Sequence, residues 1–169
     1  MIRHMKKILF FLLLIISGLS VYAQVGSRYV EREGNFSICP PGAWTAQDLA
    51  NSPYKVFLKN TTPNASLVFN TTIFNGSFEG FVEGIIRYTK TISPDAQTTS
   101  KEVFVANNGL SGYKFSTVFT RGNFQYCNVY YIFRQNNKSY FLSYNTLNES
   151  IGSLVSLFDE SARTFEIIE

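Results

Sequence analysis

Apolar and polar positions change period several times along this chain, and the changes divide it into elements. Asn35-Phe36-Ser37-Ile38-Cys39 alternates apolar with small side chains, as a short strand does. Pro40-Pro41-Gly42 must end that run, because proline removes a ladder donor and glycine permits the turn. Residues 54–59 and 65–72 are β-rich and joined by Asn60-Thr61-Thr62-Pro63-Asn64, a hairpin connection. Their mixed alternation predicts cover on parts of both faces. The period then lengthens: Phe78, Phe81, Val82, Ile85, Ile86 and Ile92 fall on one helical stripe. Ser77 stands at the N-cap position, Glu79 suits the first turn and Glu83 is spaced to pair with Arg87. Ser93-Pro94 closes the helix, since proline disfavours helical backbone in the residue before it.

Four more β-runs follow, at 101–106, 111–120, 124–135 and 139–145. The connectors Asn107-Asn108-Gly109, Arg121-Gly122-Asn123 and Asn136-Asn137-Lys138 supply hairpin geometry, so an antiparallel meander is expected. Its third run places Tyr126, Tyr130 and Ile132 on one face and Val129, Tyr131 and Phe133 on the other. A sheet with one wet face would leave one of those rows in water, so both faces need cover. Ile151, Leu154, Val155, Phe158 and Ala162 form a second helical stripe after a cap at Asn148 or Ser150, and residues 164–168 read as a closing strand. Trp44, just past the proline turn, reads as a plug over the core more readily than as a sugar-stacking platform. The order implies an α+β fold: a central antiparallel sheet of about six to eight strands with helices on both faces, an α/β/α sandwich.

Ahead of these elements, Arg3, Lys6 and Lys7 precede an apolar run from Ile8 to Ile16 and a small-residue exit ending at Ala23. This is the pattern of a bacterial secretory signal peptide cleaved after Ala23, with an apolar run too short to span a bilayer. The expected division is a signal at 1–23, an irregular leader at 24–34 and a single domain at 35–169. The exported chain then begins at Gln24, without the cysteine that lipidation requires, and carries neither a lipid nor a transmembrane anchor. Its expected place is periplasmic or secreted.

Cleavage changes the composition in ways that exclude chemistry. Three of the 15 basic residues lie in the signal, so the remainder balances the 12 acidic ones and offers no electrostatic footprint for nucleic acid. The single histidine, His4, leaves as well. Cys39 and Cys127 then have no imidazole to activate a thiolate and no further ligands for zinc. Two states stay open for them in an oxidising compartment: a disulfide, or two free thiols.

Ser-x-x-Lys occurs at Ser52–Lys55 and Ser111–Lys114 without the S-D-N and K-T-G partners of a penicillin-recognising enzyme. Gly109-Leu110-Ser111-Gly112 only half matches a nucleophile elbow and has no base. Among Glu31, Glu33, Asp48, Glu79, Glu83, Glu102 and Asp159, nothing marks two carboxylates as a convergent glycosidase pair. No calcium loop pattern occurs. Seven N-x-[ST] sequons begin at Asn35, Asn60, Asn64, Asn70, Asn75, Asn137 and Asn148; abundance of these residue types explains them better than glycosylation. No catalytic, cofactor-binding or metal-binding residue is assigned.

Four segments, in order, resemble the PsbP-like superfamily of exported domains. They are Phe36-Ser37-Ile38-Cys39-Pro40-Pro41-Gly42-Ala43-Trp44, Asn108-Gly109-Leu110-Ser111-Gly112-Tyr113, Asn137-Lys138-Ser139-Tyr140-Phe141-Leu142-Ser143-Tyr144, and Leu157-Phe158-Asp159-Glu160-Ser161-Ala162-Arg163-Thr164-Phe165. The resemblance implies a central antiparallel sheet with helices on both faces, in agreement with the periodicity. It does not transfer a role. The photosynthetic members bind photosystem II through an N-terminal extension, whereas only about ten residues are expected here between the signal and the domain, and a eukaryotic branch binds a small GTPase in the nucleus. What remains is the group of exported bacterial members without assigned chemistry. With no catalytic constellation in the chain, the expected function is a monomeric, non-enzymatic domain without a cofactor that docks on an unidentified envelope protein. The alternative is a small-molecule or glycan binder, or a weak hydrolase. It would use a cleft lined by Tyr113, Tyr126, Tyr130, Tyr131, Tyr140 and Tyr144, since tyrosine presents an apolar body and a polar tip.

Overall fold

A computed structural model describes residues 25–48, 50 and 52–169; the signal-peptide assignment lies outside the described residues. The strands are β1 (Tyr29–Glu31), β2 (Phe36–Ile38), β3 (Thr45–Gln47), β4 (Val56–Lys59), β5 (Ala65–Ile73), β6 (Gln97–Thr98), β7 (Glu102–Val105), β8 (Ser111–Arg121), β9 (Phe124–Gln135), β10 (Lys138–Leu147) and β11 (Glu166–Ile167). Helix α1 (Phe78–Ile92) lies between β5 and β6, and α2 (Ile151–Arg163) between β10 and β11.

An eight-stranded antiparallel sheet runs in the order β3-β4-β5-β10-β9-β8-β6, with β7 also paired to β8. The two-residue turns at Gly122-Asn123 and Asn136-Asn137 hold β8, β9 and β10 in register over their full lengths. Gly122 and Asn136 take the left-handed backbone that such turns require. A second sheet of three strands, β1-β2-β11, lies apart from the first.

The two faces of the large sheet are filled differently. On one, Cys127, Val129, Tyr131 and Phe133 of β9 and Tyr140, Leu142 and Tyr144 of β10 form the main core. Leu154, Phe158 and Ala162 of α2 cover it together with Phe36 and Ile38 of the small sheet. Phe165 closes over Phe133, with ring centroids 4.9 Å apart and planes 10° from parallel. Trp44 is edge-on to Tyr144 and Phe158 at 6.4 and 6.1 Å, the plug that its position after the proline turn predicts. On the other face α1 presses Phe78, Phe81, Val82, Ile85 and Ile86 onto Phe115, Ile132, Tyr113, Tyr130 and Phe141. Ser77 caps α1 as expected, its Oγ accepting from the Gly80 N–H at 3.1 Å. Helices on both faces of an antiparallel sheet are what the double-sided apolar pattern of β9 demanded.

Three local expectations need correction. The leader at 24–34 is not wholly irregular: β1 pairs with β2, and Gly26 donates its N–H to Pro40 O at 2.6 Å. Ile92 does not face the sheet but is 61% exposed, because α1 overshoots the surface it covers. Glu83 pairs with Lys101, which also reaches Glu79 at 2.9 Å, in place of Arg87.

Candidate functional site

The six candidate tyrosines do not line one cleft. Strand alternation sends Tyr131, Tyr140 and Tyr144 into the main core, where all three are buried. Tyr113 and Tyr130 lie on the opposite face beneath α1, against Phe78 and Phe115 respectively. Tyr126 alone stands on the part of that face beyond α1, stacked on Phe119 at 5.9 Å. The tyrosine content was legible, but β9 is apolar on both faces, so residue type could not tell which side was covered.

Burial gives the core phenols their chemistry. Tyr144 Oη donates to Ser161 Oγ at 2.8 Å, and Ser161 Oγ donates to Cys39 O at 2.7 Å. Desolvation holds the Tyr144 pKa far above the ordinary tyrosine value. Tyr131 Oη donates to Asp159 Oδ1 at 2.7 Å, and desolvation, then the Asp159 charge, raises its pKa as well. Lys114 Nζ is 2.9 Å from the same carboxylate and 3.5 Å from Glu102. The fold thus unites two of the candidate carboxylates, but around an ammonium and not around an open space for a sugar. This cluster ties α2 to β8 and β9 and accounts for Lys114 without the Ser111 motif. Among the described residues no group of three or more acidic, cysteine or histidine side chains is placed to hold a metal. Cys39 is half-buried, Cys127 is buried, and the two are unbonded in the structure. Burial pushes the Cys127 thiol pKa up.

One flank of α1, beside Phe74, offers a different surface. Phe74, Phe81, Ile85 and Tyr88 wall a groove of about 330 Å³ whose floor is opened by Gly80 and Gly84. Tyr88 is 65% exposed, and Ile92 extends the apolar strip by one helical turn. Lys101 neutralises Glu79 and Glu83 on the far flank. Arg87 lines the groove and makes no ion pair among the described residues, and Arg134 is held beside it by bonds to Phe74 O and Gly76 O at 2.6 and 2.8 Å. The result is an apolar depression with a basic rim. Sequence reading missed it, although two glycines one turn apart, with Tyr88 outside the buried stripe, were its signal.

No protein-family model matches the chain, and no curated protein matches it in sequence. Solved structures do match its fold. Cyanobacterial PsbP (CyanoP) from Synechocystis superposes with a TM-score of 0.64 at 16% identity, covering 89% of this chain and 95% of that one. The Ran-binding protein Mog1p of Saccharomyces cerevisiae gives 0.58 at 9% identity, over 86% and 97% of the two chains. LpqN of Mycobacterium tuberculosis, involved in cell envelope biogenesis, gives 0.57 at 10% identity, over 88% of each. Identities this low speak to architecture alone, and the architecture is the PsbP-like fold.

Proposed function

We propose that this PsbP-like domain is exported and non-enzymatic, and that it acts by docking on another protein of the cell envelope. The observation that carries the reading is the groove on α1, an exposed apolar surface rimmed by Arg87 and Arg134. A soluble surface that leaves Phe74, Tyr88 and Ile92 in water is suited to contact with a partner. The rim specifies that partner's chemistry: an apolar side chain to enter between Phe74 and Tyr88, flanked by carboxylates. The docking reading also draws support from Mog1p, which is described as Ran-binding, and the envelope setting from LpqN and from the signal pattern at 1–23.

The test is affinity capture from envelope extracts with the full chain and with Tyr88→Glu or Arg87→Glu. These substitutions touch only exposed atoms and are expected to change stability by less than about 0.5 kcal/mol. A defined partner retained by the parent chain and lost from both variants is the expected outcome. Equal retention by parent and variants would move docking off α1, and a parent that retains nothing would refute the proposal.

A further inference from the structure

Helix α1 covers only half of its face of the sheet. Strand register arranges that face in rows. Tyr113, Ile132 and Phe141 make one row, and Phe115, Tyr130 and Ser143 the next; these are the rows beneath α1. The following row is polar across four strands: Thr117, Asn128, Asn145 and Ser66 are successive cross-strand neighbours. Beyond it comes an apolar row of Phe119, Tyr126 and Leu147. Two adjoining concavities of about 540 and 610 Å³ open over these last rows, and Tyr126 and Asn145 line both.

The polar row is held in place and still has hydrogen-bonding capacity to spare. Asn145 is locked: its Nδ2 donates to Ser66 Oγ and Ser143 O, and its Oδ1 accepts from Ser143 Oγ, each at 3.2 Å. Asn128 makes one side-chain hydrogen bond, Nδ2 to Tyr130 Oη at 3.0 Å. That leaves the second N–H and the carbonyl oxygen of Asn128, and the hydroxyl hydrogens of Tyr130 and Ser66, without protein partners among the described residues. Donors and acceptors therefore alternate within one half-buried strip beside an aromatic pair. No ionised group lies in the polar row or in the apolar row behind it. Lys59, at the margin, is occupied by Thr61 O and Pro63 O at 2.8 and 2.9 Å, and Arg121 stands at the rim of the second concavity.

A cationic ligand would lose water over this floor and gain no opposite charge there, and an anionic one would meet cations only at the margins, at Lys59 and Arg121. A purely apolar ligand would bury the amide of Asn128 unpaired. What fits is a neutral chain whose every unit carries hydroxyls that both donate and accept, together with an apolar C–H face to lie on an aromatic ring. We propose that the uncovered half of this sheet face binds a neutral oligosaccharide segment, with Asn128 and Ser66 pairing its hydroxyls and Tyr126 carrying one sugar face. Two adjoining concavities of this size suit more than one sugar ring, within the range of ordinary ligand pockets of about 300–1,000 Å³ each. This site shares no residue with the groove on α1 and does not depend on a protein partner.

The experiment is saturation-transfer NMR and calorimetry on the purified full chain. The probes are cellotetraose, mannotetraose and tetra-N-acetylchitotetraose as neutral ligands, with tetragalacturonate as the charged control. The expected result is binding of at least one neutral tetrasaccharide with a Kd at or below about 1 mM. Asn128→Ala and Tyr126→Ser should each weaken it by about tenfold or more, with the circular dichroism spectrum retained. Tyr88→Glu should leave it unchanged, which separates failure here from failure of the docking site. Absence of binding by all three neutral probes at about 10 mM would overturn the proposal. So would preference for the uronate, or affinity that survives both substitutions; two side chains on different strand positions guard against one variant failing to fold.

Discussion

At the scale of single residues, the most informative contrast is between two tyrosines adjacent in sequence. Tyr131 is buried and donates to Asp159, whereas the hydroxyl of Tyr130 accepts from Asn128 beside the open part of the sheet. Tyr131→Phe keeps the ring and removes a hydrogen bond to a charged group, worth about 1.5–3 kcal/mol. Lys114 still neutralises the carboxylate, so the expected loss is near the lower end, about 1.5 kcal/mol, read from the urea midpoint. Tyr130→Phe is expected to cost less than about 0.5 kcal/mol. Equal losses from the two would mean that the Asp159 bond contributes nothing. The cysteines give a second residue-scale test. Denaturation without reductant should let both thiols react with an alkylating agent, and Cys127 should react slowly in the native protein because burial opposes its thiolate. A denatured chain that takes up no label would instead carry the disulfide.

At the scale of elements, α1 is held by local signals and by a few contacts at one end of the sheet. Ser77→Ala removes its capping acceptor and is expected to cost about 1 kcal/mol, seen as a lower urea midpoint at constant slope. No change would show that the first turn is fixed by packing of Phe78 and Phe81 alone. The bounds of α1 were readable because cap, stripe and terminating proline are all local. The same holds for β8, β9 and β10, whose turns announce themselves through Gly122-Asn123 and Asn136-Asn137. The strands β1, β3 and β6 were not readable. Each is only two or three residues long, too short for a period to show, and β6 exists because a strand further along offers its edge, Thr117 to Thr98. The two surfaces were illegible for a related reason. Gly80 and Tyr88, like Asn128 and Asn145, become neighbours only through helix pitch or strand register. Their residue types are common on any surface, and only register turns Asn128, Asn145 and Ser66 into one continuous row.

At the scale of the whole molecule, the sheet is packed on both faces, and the larger core, beneath α2, has ionisable phenols inside it. Tyr131 and Tyr144 meet edge to face at 5.5 Å within that core, and each has a folded-state pKa raised above the ordinary 10.0. Below pH 10 both the folded and the unfolded chain keep these protons, so the stabilisation is complete there. Above it the unfolded chain releases them and the folded chain does not, so the unfolded state binds fewer protons and stability falls as pH rises. Each such group contributes a loss of about 1.4 kcal/mol per pH unit, against a total stability of about 5–15 kcal/mol for a domain of this kind. Two of them acting together remove roughly 5 kcal/mol by about pH 12, enough to unfold a domain at the lower end of that range. An alkaline titration followed by tyrosinate absorbance and far-ultraviolet circular dichroism should therefore show part of the absorbance rising together with the loss of structure. Tyr144→Phe should reduce that shared component, because one of the two buried protons is then absent. If the full absorbance change is reached while the dichroism is still native, these phenols ionise inside the folded protein, and the core is more open to water than its packing requires.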